Sequence, residues 1–322
     1  MAASPLFRTA LGRGSAALTF GYLIGVVNPL QMLSLAVRPF SATAFREFNR
    51  SCARQVWGLW VLVAEFQNRI ELRFSGDPIG VRENSLVLPN HQSIADVMVL
   101  LSYGWRAGRL GDMKWFVKDP IKYVPGPGWG MRFLDCIYVK RNWAQDEGQI
   151  HRLFDKFKRE QIPLMLVSFL EGTRKTPAKH RASREFAQSR GLYVPEHTMV
   201  PRTKGFAATV SGLRDHLDAV HDVTIAYPQG VPTLFDCFEG RVGRVDVHVR
   251  RHPAAGLPAD FESLSRWAFD RFREKDELLE HHRRHGAFPG PWRTEPIRAS
   301  DWFRAEDRRQ LAARADDSRP AA

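Results

Sequence analysis

The sequence predicts an α/β fold: a central mixed sheet flanked by helices, preceded by an N-terminal helical segment that associates with a membrane. Three observations predict it. From residue 70 onward, short apolar runs alternate with amphipathic stretches, the pattern of strands and helices layered on one sheet. Residues 15–37, SAALTFGYLIGVVNPLQMLSLAV, hold no charged side chain. The chain has 322 residues, 44% hydrophobic and 25% charged, enough for a large buried core.

The N-terminal run is long enough to cross a bilayer, since a helix needs about 20 apolar residues to do so. Three readings fit it. A cleaved signal peptide fits less well, because the run is long and Arg38 follows at once. A transmembrane helix is the plain reading. A bent helix pair that enters one leaflet and returns is the third, with the bend at Asn28-Pro29, where Pro removes a helical hydrogen bond. Arg8 and Arg13 precede the run, and Arg38, Arg46, Arg50 and Arg54 follow it. Arg on both flanks suits a hairpin whose ends lie at one interface. Residues 45–67 continue as an amphipathic helix with Trp57, Trp60, Val61 and Ala64 on one stripe. That stripe fits an interfacial helix and a core-facing helix equally. Residues 1–67 are therefore expected to form a membrane-anchoring helical segment. Residues 68–322 are expected to form a catalytic domain with C-terminal helices.

Within that domain the pattern predicts strands at 85–90, 113–117, 135–141, 163–172, 222–228 and 244–250. Helices are predicted at 94–105, 144–161, 203–217 and 260–282. The 260–282 helix carries Phe261, Leu264, Trp267, Ala268 and Phe272 on one stripe. Residues from about 312 are rich in Ala, Arg and Asp and are expected to fray.

Net charge is +12 and the isoelectric point is near 10.0. Such a balance favours phosphate-bearing partners. With no basic tail and no nucleic-acid signature, nucleic acid is not the expected one. Cys52, Cys136 and Cys237 are scattered, which excludes a disulfide framework and a CxxC metal site. The stretch HHRRH at 281–285 reads as a charged, solvated helix end rather than a metal site.

Candidate chemistry begins in VLPNHQSIADVMVLL, residues 87–101. Positions five apart on a helix differ by about 140°, so His91 and Asp96 meet only if His91 precedes the helix. Pro89 supports a break there, and Ser93 is a good N-cap. An Asp on the imidazole fixes its tautomer and stabilises the imidazolium, so the His can take a proton from a hydroxyl. Ser93 to Asp96 also matches a capping box, which would give Asp96 a purely local job. FLEGTR (169–174) follows a predicted buried strand, where α/β sheets present their sites. VPRTKGF (200–206) precedes a helix, where backbone N–H groups favour anions. Each basic pair alone reads as solvated surface. Together, after successive strands, they suggest a phosphate pocket.

NHQSIAD, FLEGTR and VPRTKGF resemble motifs of the glycerolipid acyltransferases, in particular the 1-acyl-glycerol-3-phosphate acyltransferases. VKDPIKYVPGPGW with FLDCIYVKR (117–141) resembles the family's second motif, with Lys118, Trp129 and Arg141 at its marked positions. VVNPLQMLSLAVRPFS (26–41) is similar to the N-terminal segment of the longer branch, which includes lysocardiolipin-type enzymes. Leu170 stands where many members have Pro, and the second motif's Phe-Ile-Asp-Arg core appears as IYVKR.

The resemblance implies acyl transfer from a thioester to a lysophospholipid hydroxyl, with 1-acyl-glycerol-3-phosphate as the first acceptor, giving phosphatidic acid; another lysophospholipid is the alternative, and a non-catalytic lipid-binding protein the lesser one. It implies His91 as general base and Asp96 as its orienting partner. The substrate-binding set it implies is Asn90, Lys118, Arg141, Glu171, Gly172, Thr173, Arg174, Arg202 and Lys204. Glu171, which cannot hold phosphate itself, is expected to order Arg174 or a hydroxyl. No metal and no cofactor are expected. The donor is acyl-CoA or acyl-carrier protein, the partners are membrane phospholipids, and the location is the cytoplasmic face of a membrane, the inner one in a bacterium.

Overall fold

The computed structural model describes residues 5–140 and 143–297. Arg141 and the segment expected to fray lie outside the described residues. The chain opens with α1 (Pro5–Tyr22), a π-helical turn (Leu23–Val27) and α2 (Asn28–Leu33). It reverses and continues as α3 (Ala42–Leu62), which runs into a second π-helical turn (Val63–Gln67). The two limbs are antiparallel. Ser15 Oγ donates to Gln67 Oε1, the Tyr22 hydroxyl to Gln55 Oε1, and Asn49 Nδ2 to Ser34 Oγ. The rings of Phe20 and Trp60 lie 5.0 Å apart between them.

The bent pair expected within residues 15–37 does not form: the run is one continuous helix to Ala36, and its antiparallel partner is α3. Val27 and Asn28 keep helical dihedrals, and the Asn28 N–H bonds to Leu23 O in the π turn. The widened turn brings the helix through Pro29, which has no N–H to place. The reversal lies at residues 37–41, where Ser41 is extended and its hydroxyl caps α3 by accepting from Ala44 N–H at 3.1 Å.

The remaining elements follow in chain order. They are β1 (Glu71–Gly76), β2 (Ser85–Pro89), α4 (Asp96–Arg106), β3 (Met113–Lys118), α5 (Pro127–Arg132), β4 (Ile137–Val139) and α6 (Trp143–Arg159). After them come β5 (Met165–Val167), α7 (Pro177–Ser189), α8 (Thr203–Leu213), β6 (Ala219–Ala226), α9 (Leu234–Phe238), β7 (Arg244–Pro253) and α10 (Phe261–His285). The seven strands form one sheet in the order β1-β7-β6-β2-β5-β3-β4. All neighbours are parallel except β6 and β7, so the sheet is mixed as expected. Strand alternation divides the core between its two faces. Leu86 and Leu88 of β2 join Val220, Phe154, Phe206 and Phe272 under α6, α8 and α10. Val87 joins Val167, Ile225, Met98 and Trp60 under α3 and α4. The N-terminal helix pair thus shares a core with one sheet face.

Two features position the site. β2 and β5 are parallel neighbours, with Val87 opposite Val167, so the residues that follow each strand emerge side by side. α10 is locked beneath β6 by Lys275, which is fully buried, pairs with Asp222 and donates to Val223 O at 2.7 Å.

Candidate active site

His91 lies in the corner between β2 and α4, and Asp96 is the first residue of α4. His91 Nδ1 and Asp96 Oδ2 are 2.9 Å apart. Asp96 is fully buried, and the same Oδ2 accepts the N–H of Gln92 at 2.7 Å and of Ser93 at 2.9 Å. One carboxylate therefore performs both jobs that the sequence left open. It ties down the helix start, and it faces an imidazole nitrogen. Phe169 stacks on the His91 ring at 3.8 Å and fixes its plane. Ser93 departs from its expected place as the N-cap. It lies further out, accepting from Ala95 N–H at 3.1 Å and donating to Pro232 O. Its hydroxyl is thereby engaged away from a nucleophile's role.

Asn90 is buried, and both ends of its amide go to one backbone residue. Nδ2 donates to Ile225 O at 3.0 Å, and Oδ1 accepts Ile225 N–H at 2.8 Å. Asn90 thus clamps the end of β2 to β6 and sets where His91 begins.

Glu171 does not reach Arg174. Its Oε1 accepts the His91 N–H at 2.7 Å, which draws the carboxyl inward. Oε2 is buried with no hydrogen-bond partner among the described residues. Burial raises the Glu171 pKa to about 8; the hydrogen bond from His91 N–H opposes that rise and nearby Asp96 adds to it. Lys175 N–H bonds to His91 O at 2.8 Å, so the two corners are stitched together. Gly172 has φ +69°, and a Cβ there would come 2.9 Å from Arg202 Nε. Only glycine fits both demands. Its bareness lets the Arg202 side chain cross it, while Arg202 N–H bonds to Leu170 O at 2.8 Å.

Thr173 accepts from Lys179 Nζ at 2.7 Å. Arg174, Arg202 and Lys204 are exposed and make no ion pair or side-chain hydrogen bond to the described residues. Lys118 stands at the exposed end of β3. Together with His91 and residues 171–174, these four line one cavity of about 1580 Å³. From its polar end the cavity runs into an apolar arm between the N-terminal helices and the sheet, past Leu23, Val27, Val56, Trp60, Leu101 and Met131. Of the sequence-predicted residues that the structure describes, Asn90 and Asp96 alone lie off the cavity, one step behind His91. Among the described residues no cluster of metal-ligating side chains occurs.

Two groups escaped the sequence reading. Tyr227, just past β6, donates its hydroxyl to Asp96 Oδ1 at 2.6 Å. Burial and the adjacent carboxylate keep that phenol protonated. Asp276 of α10 holds the loop that leads into Arg202. It accepts the N–H groups of Glu196, His197 and Thr198 at 2.9, 2.7 and 2.8 Å, and the Tyr193 hydroxyl at 2.9 Å. Against the opposing effect of burial, those donors hold its pKa below the ordinary carboxylate value. Both contacts span 78 residues or more of sequence, and no local pattern announces them.

Comparison with known proteins agrees with this arrangement. Residues 71–227 match the family model described as Acyltransferase, and residues 236–305 match the one described as Acyltransferase C-terminus. The chain is 35% identical over 272 residues to 1-acyl-sn-glycerol-3-phosphate acyltransferase 2 of Brassica napus, covering 82% of this chain and 70% of that one. It is 33% identical over 273 residues to 1-acyl-sn-glycerol-3-phosphate acyltransferase delta of Mus musculus, covering 83% and 72%. Its fold is similar to the crystal structure of the 1-acyl-sn-glycerophosphate (LPA) acyltransferase PlsC from Thermotoga maritima. That match has a TM-score of 0.51 at 15% identity, over 85% of this chain and 98% of that one. The His–Asp corner and the basic corner both fall inside the first matched block, and α10, which braces them, falls inside the second. By these matches the chain belongs to the acyltransferase family.

Proposed function

We propose that this protein transfers a fatty acyl group from an acyl thioester to the free hydroxyl of 1-acyl-glycerol-3-phosphate, giving phosphatidic acid at a membrane surface. One observation carries the reading. The buried Asp96 carboxylate faces His91 Nδ1, and His91 opens on a cavity with a basic end and an apolar arm. That shape suits an amphiphile with a phosphate head and a hydrocarbon tail.

With Nδ1–H donated to Asp96, Nε2 is the basic nitrogen. It takes the acceptor's hydroxyl proton as the oxygen attacks the thioester carbonyl carbon. The C–O bond forms, the tetrahedral intermediate collapses, the C–S bond breaks, and the thiolate receives the proton from the imidazolium. General-base assistance of this kind contributes about 10²–10⁴-fold. The thioester is already activated, so the scheme uses no covalent enzyme intermediate and no cofactor. Arg174 and Arg202 hold the acceptor phosphate, with Lys118, Arg141 and Lys204 adding positive charge around it. Thr173 lies beside that phosphate, and Gly172 keeps the backbone close to it. Asn90 and Glu171 act through the His91 backbone.

Residues 1–67 serve as the membrane anchor and 68–322 as the catalytic part, on the cytoplasmic face. The segment Thr9–Ala36 is long and apolar enough to cross a membrane. Its outer face exposes Leu18 at 76% and Leu33 at 70%, and Phe40 at the reversal is 89% exposed. An apolar face of this kind in contact with lipid lets the acceptor's chain stay in hydrocarbon while its head enters the site. Withdrawing the chain into water would cost about 0.8 kcal/mol per CH₂.

The test is an acceptor panel with purified protein in bilayers, read by mass spectrometry. Lysophosphatidate should be acylated in preference to lysophosphatidylcholine and lysophosphatidylglycerol. Preference for a lysophospholipid with a substituted phosphate would assign a remodelling reaction instead. Thioester loss that is equally fast without any acceptor would assign a hydrolase.

A further inference from the structure

We propose that the Phe169 ring stabilises the imidazolium that forms on His91 during acyl transfer, through a cation–π contact with the face of the imidazole. This rests on the acyl-transfer reading and names a residue, acting through His91, that sets the strength of its base.

The sheet builds the contact. β2 and β5 are parallel neighbours with Val87 opposite Val167, so Phe169 leaves β5 beside the corner where His91 leaves β2. Ser168 N–H bonds to Val87 O and Gly172 N–H to Phe169 O, both at 2.9 Å, which holds the backbone on either side of the ring. Trp115 of β3 also stacks on Phe169, with ring centres 6.5 Å apart and planes 24° apart. The His91 and Phe169 centres are 3.8 Å apart, again with planes at 24°. An aromatic face carries the negative part of the ring quadrupole, and it attracts a cation within about 6 Å of its centre. The acceptor's proton moves to Nε2 as the C–O bond forms. The positive charge then spreads over the ring that Phe169 faces, until the leaving thiolate takes the proton.

Asp96 alone is an incomplete counter-charge. Besides facing His91 Nδ1, its Oδ2 accepts the N–H groups of Gln92 and Ser93, and its Oδ1 accepts the Tyr227 hydroxyl. Those donors already answer part of its charge. Glu171 packs against the same corner, but burial raises its pKa to about 8, so it is largely protonated near neutrality. Lys175 meets His91 through its backbone and turns its Nζ to His197 O. The cavity that His91 opens on is lined by the cations Lys118, Arg174, Lys179, Arg190, Arg202 and Lys204 against the acids Asp146 and Glu171. That excess of positive charge disfavours a new cation at His91. A ring face supports one without competing for Nε2.

The test replaces Phe169 by mono-, di- and trifluorophenylalanine through nonsense suppression. Fluorine nearly keeps the ring's shape and drains negative charge from its face, so folding and the ring plane are held constant. Two quantities are read: kcat for transfer to lysophosphatidate, and the pH at which His91 titrates in the free protein, by NMR of labelled imidazole. From the native to the trifluoro ring, kcat is expected to fall about 2- to 30-fold, the scale of one cation–π contact, in steps that follow the fluorine count. His91 should titrate at progressively lower pH, because the ring face favours the charged form. The acid limb of the kcat/KM profile should move with it. A kcat and a titration that stay flat across the series would reduce Phe169 to a spacer and overturn the proposal. A fall in kcat with no movement of the titration would overturn it as well, since the loss would then come from packing in the cavity. If the native protein transfers no acyl group, the acyl-transfer reading fails. The NMR titration still decides the contact in that case, upheld by the downward movement and overturned by none.

Discussion

Replacing Glu171 by Gln should stabilise the protein more as pH rises. Glu171 is fully enclosed, and burial lifts its pKa from 4.5 to about 8. In the unfolded chain the group loses its proton near 4.5, whereas in the folded chain it keeps the proton until about 8. Between those values the folded state binds more protons, so stability falls as pH rises, at about 1.4 kcal/mol per unit. The contribution is complete below pH 4.5 and gone above pH 8. Relative to a group that does not titrate, the loss is about 1 kcal/mol at pH 5 and about 4 kcal/mol at pH 8. The Glu171→Gln variant would keep the one observed contact, since the amide's carbonyl oxygen can accept the His91 N–H in the same way. The variant should therefore gain about 3 kcal/mol on wild type between pH 5 and pH 8, less whatever the site recovers by relaxing or admitting water. For a domain of this size that is a difference in Tm of about 6–12 °C. Thermal unfolding in detergent at pH 5, 6, 7 and 8 measures it. A Tm difference that is flat with pH would show that Glu171 is already charged in the folded state and refute the argument.

Three further outcomes follow from the geometry. Tyr227→Phe should lower kcat about tenfold, the scale of one hydrogen bond to a charged group. Steady-state kinetics should leave both KM values unchanged, because Tyr227 touches Asp96 and does not line the cavity. Arg174→Ala should raise the KM for lysophosphatidate about 10- to 100-fold with the donor KM intact, and Arg174→Lys should recover only part of that, since an ammonium cannot form the two-pronged contact. Leu18→Glu together with Leu33→Glu should cut partitioning onto anionic vesicles at least tenfold in a flotation assay, since each exposed leucine contributes about 1.5–3 kcal/mol when buried in lipid.

How much of this was legible in the sequence depended on whether a feature was local. β2, β5 and β6 were visible because their apolar runs are buried on both faces. β1 was not named, because Glu71 and Arg73 interrupt its run and both are only half-buried. α7 was missed because it buries a single alanine and shows no apolar stripe. The strand order, with β1 and β7 beyond β6, is a tertiary result that no local pattern encodes. The break at Asn28-Pro29 followed from proline's missing N–H, but a π turn one step earlier absorbs it. His91 and Asp96 were legible because a five-residue spacing across a helix start has few geometries open to it. The Glu171–Arg174 contact failed because the His91 N–H, 80 positions earlier, claims the carboxyl first. Tyr227 was invisible for the same reason, lying 131 positions from its partner.

The central claim is that His91 is the base that deprotonates the acceptor hydroxyl. It is tested most directly by following phosphatidate formation from acyl-CoA and lysophosphatidate by mass spectrometry, with wild type and His91→Ala at matched, folded concentrations. The expected result is a loss of at least about 10²-fold in kcat, with Tm and lysophosphatidate binding close to wild type, because the Arg174 and Arg202 corner does not depend on the imidazole. Phosphatidate formation by folded His91→Ala protein within a few fold of wild type would contradict it.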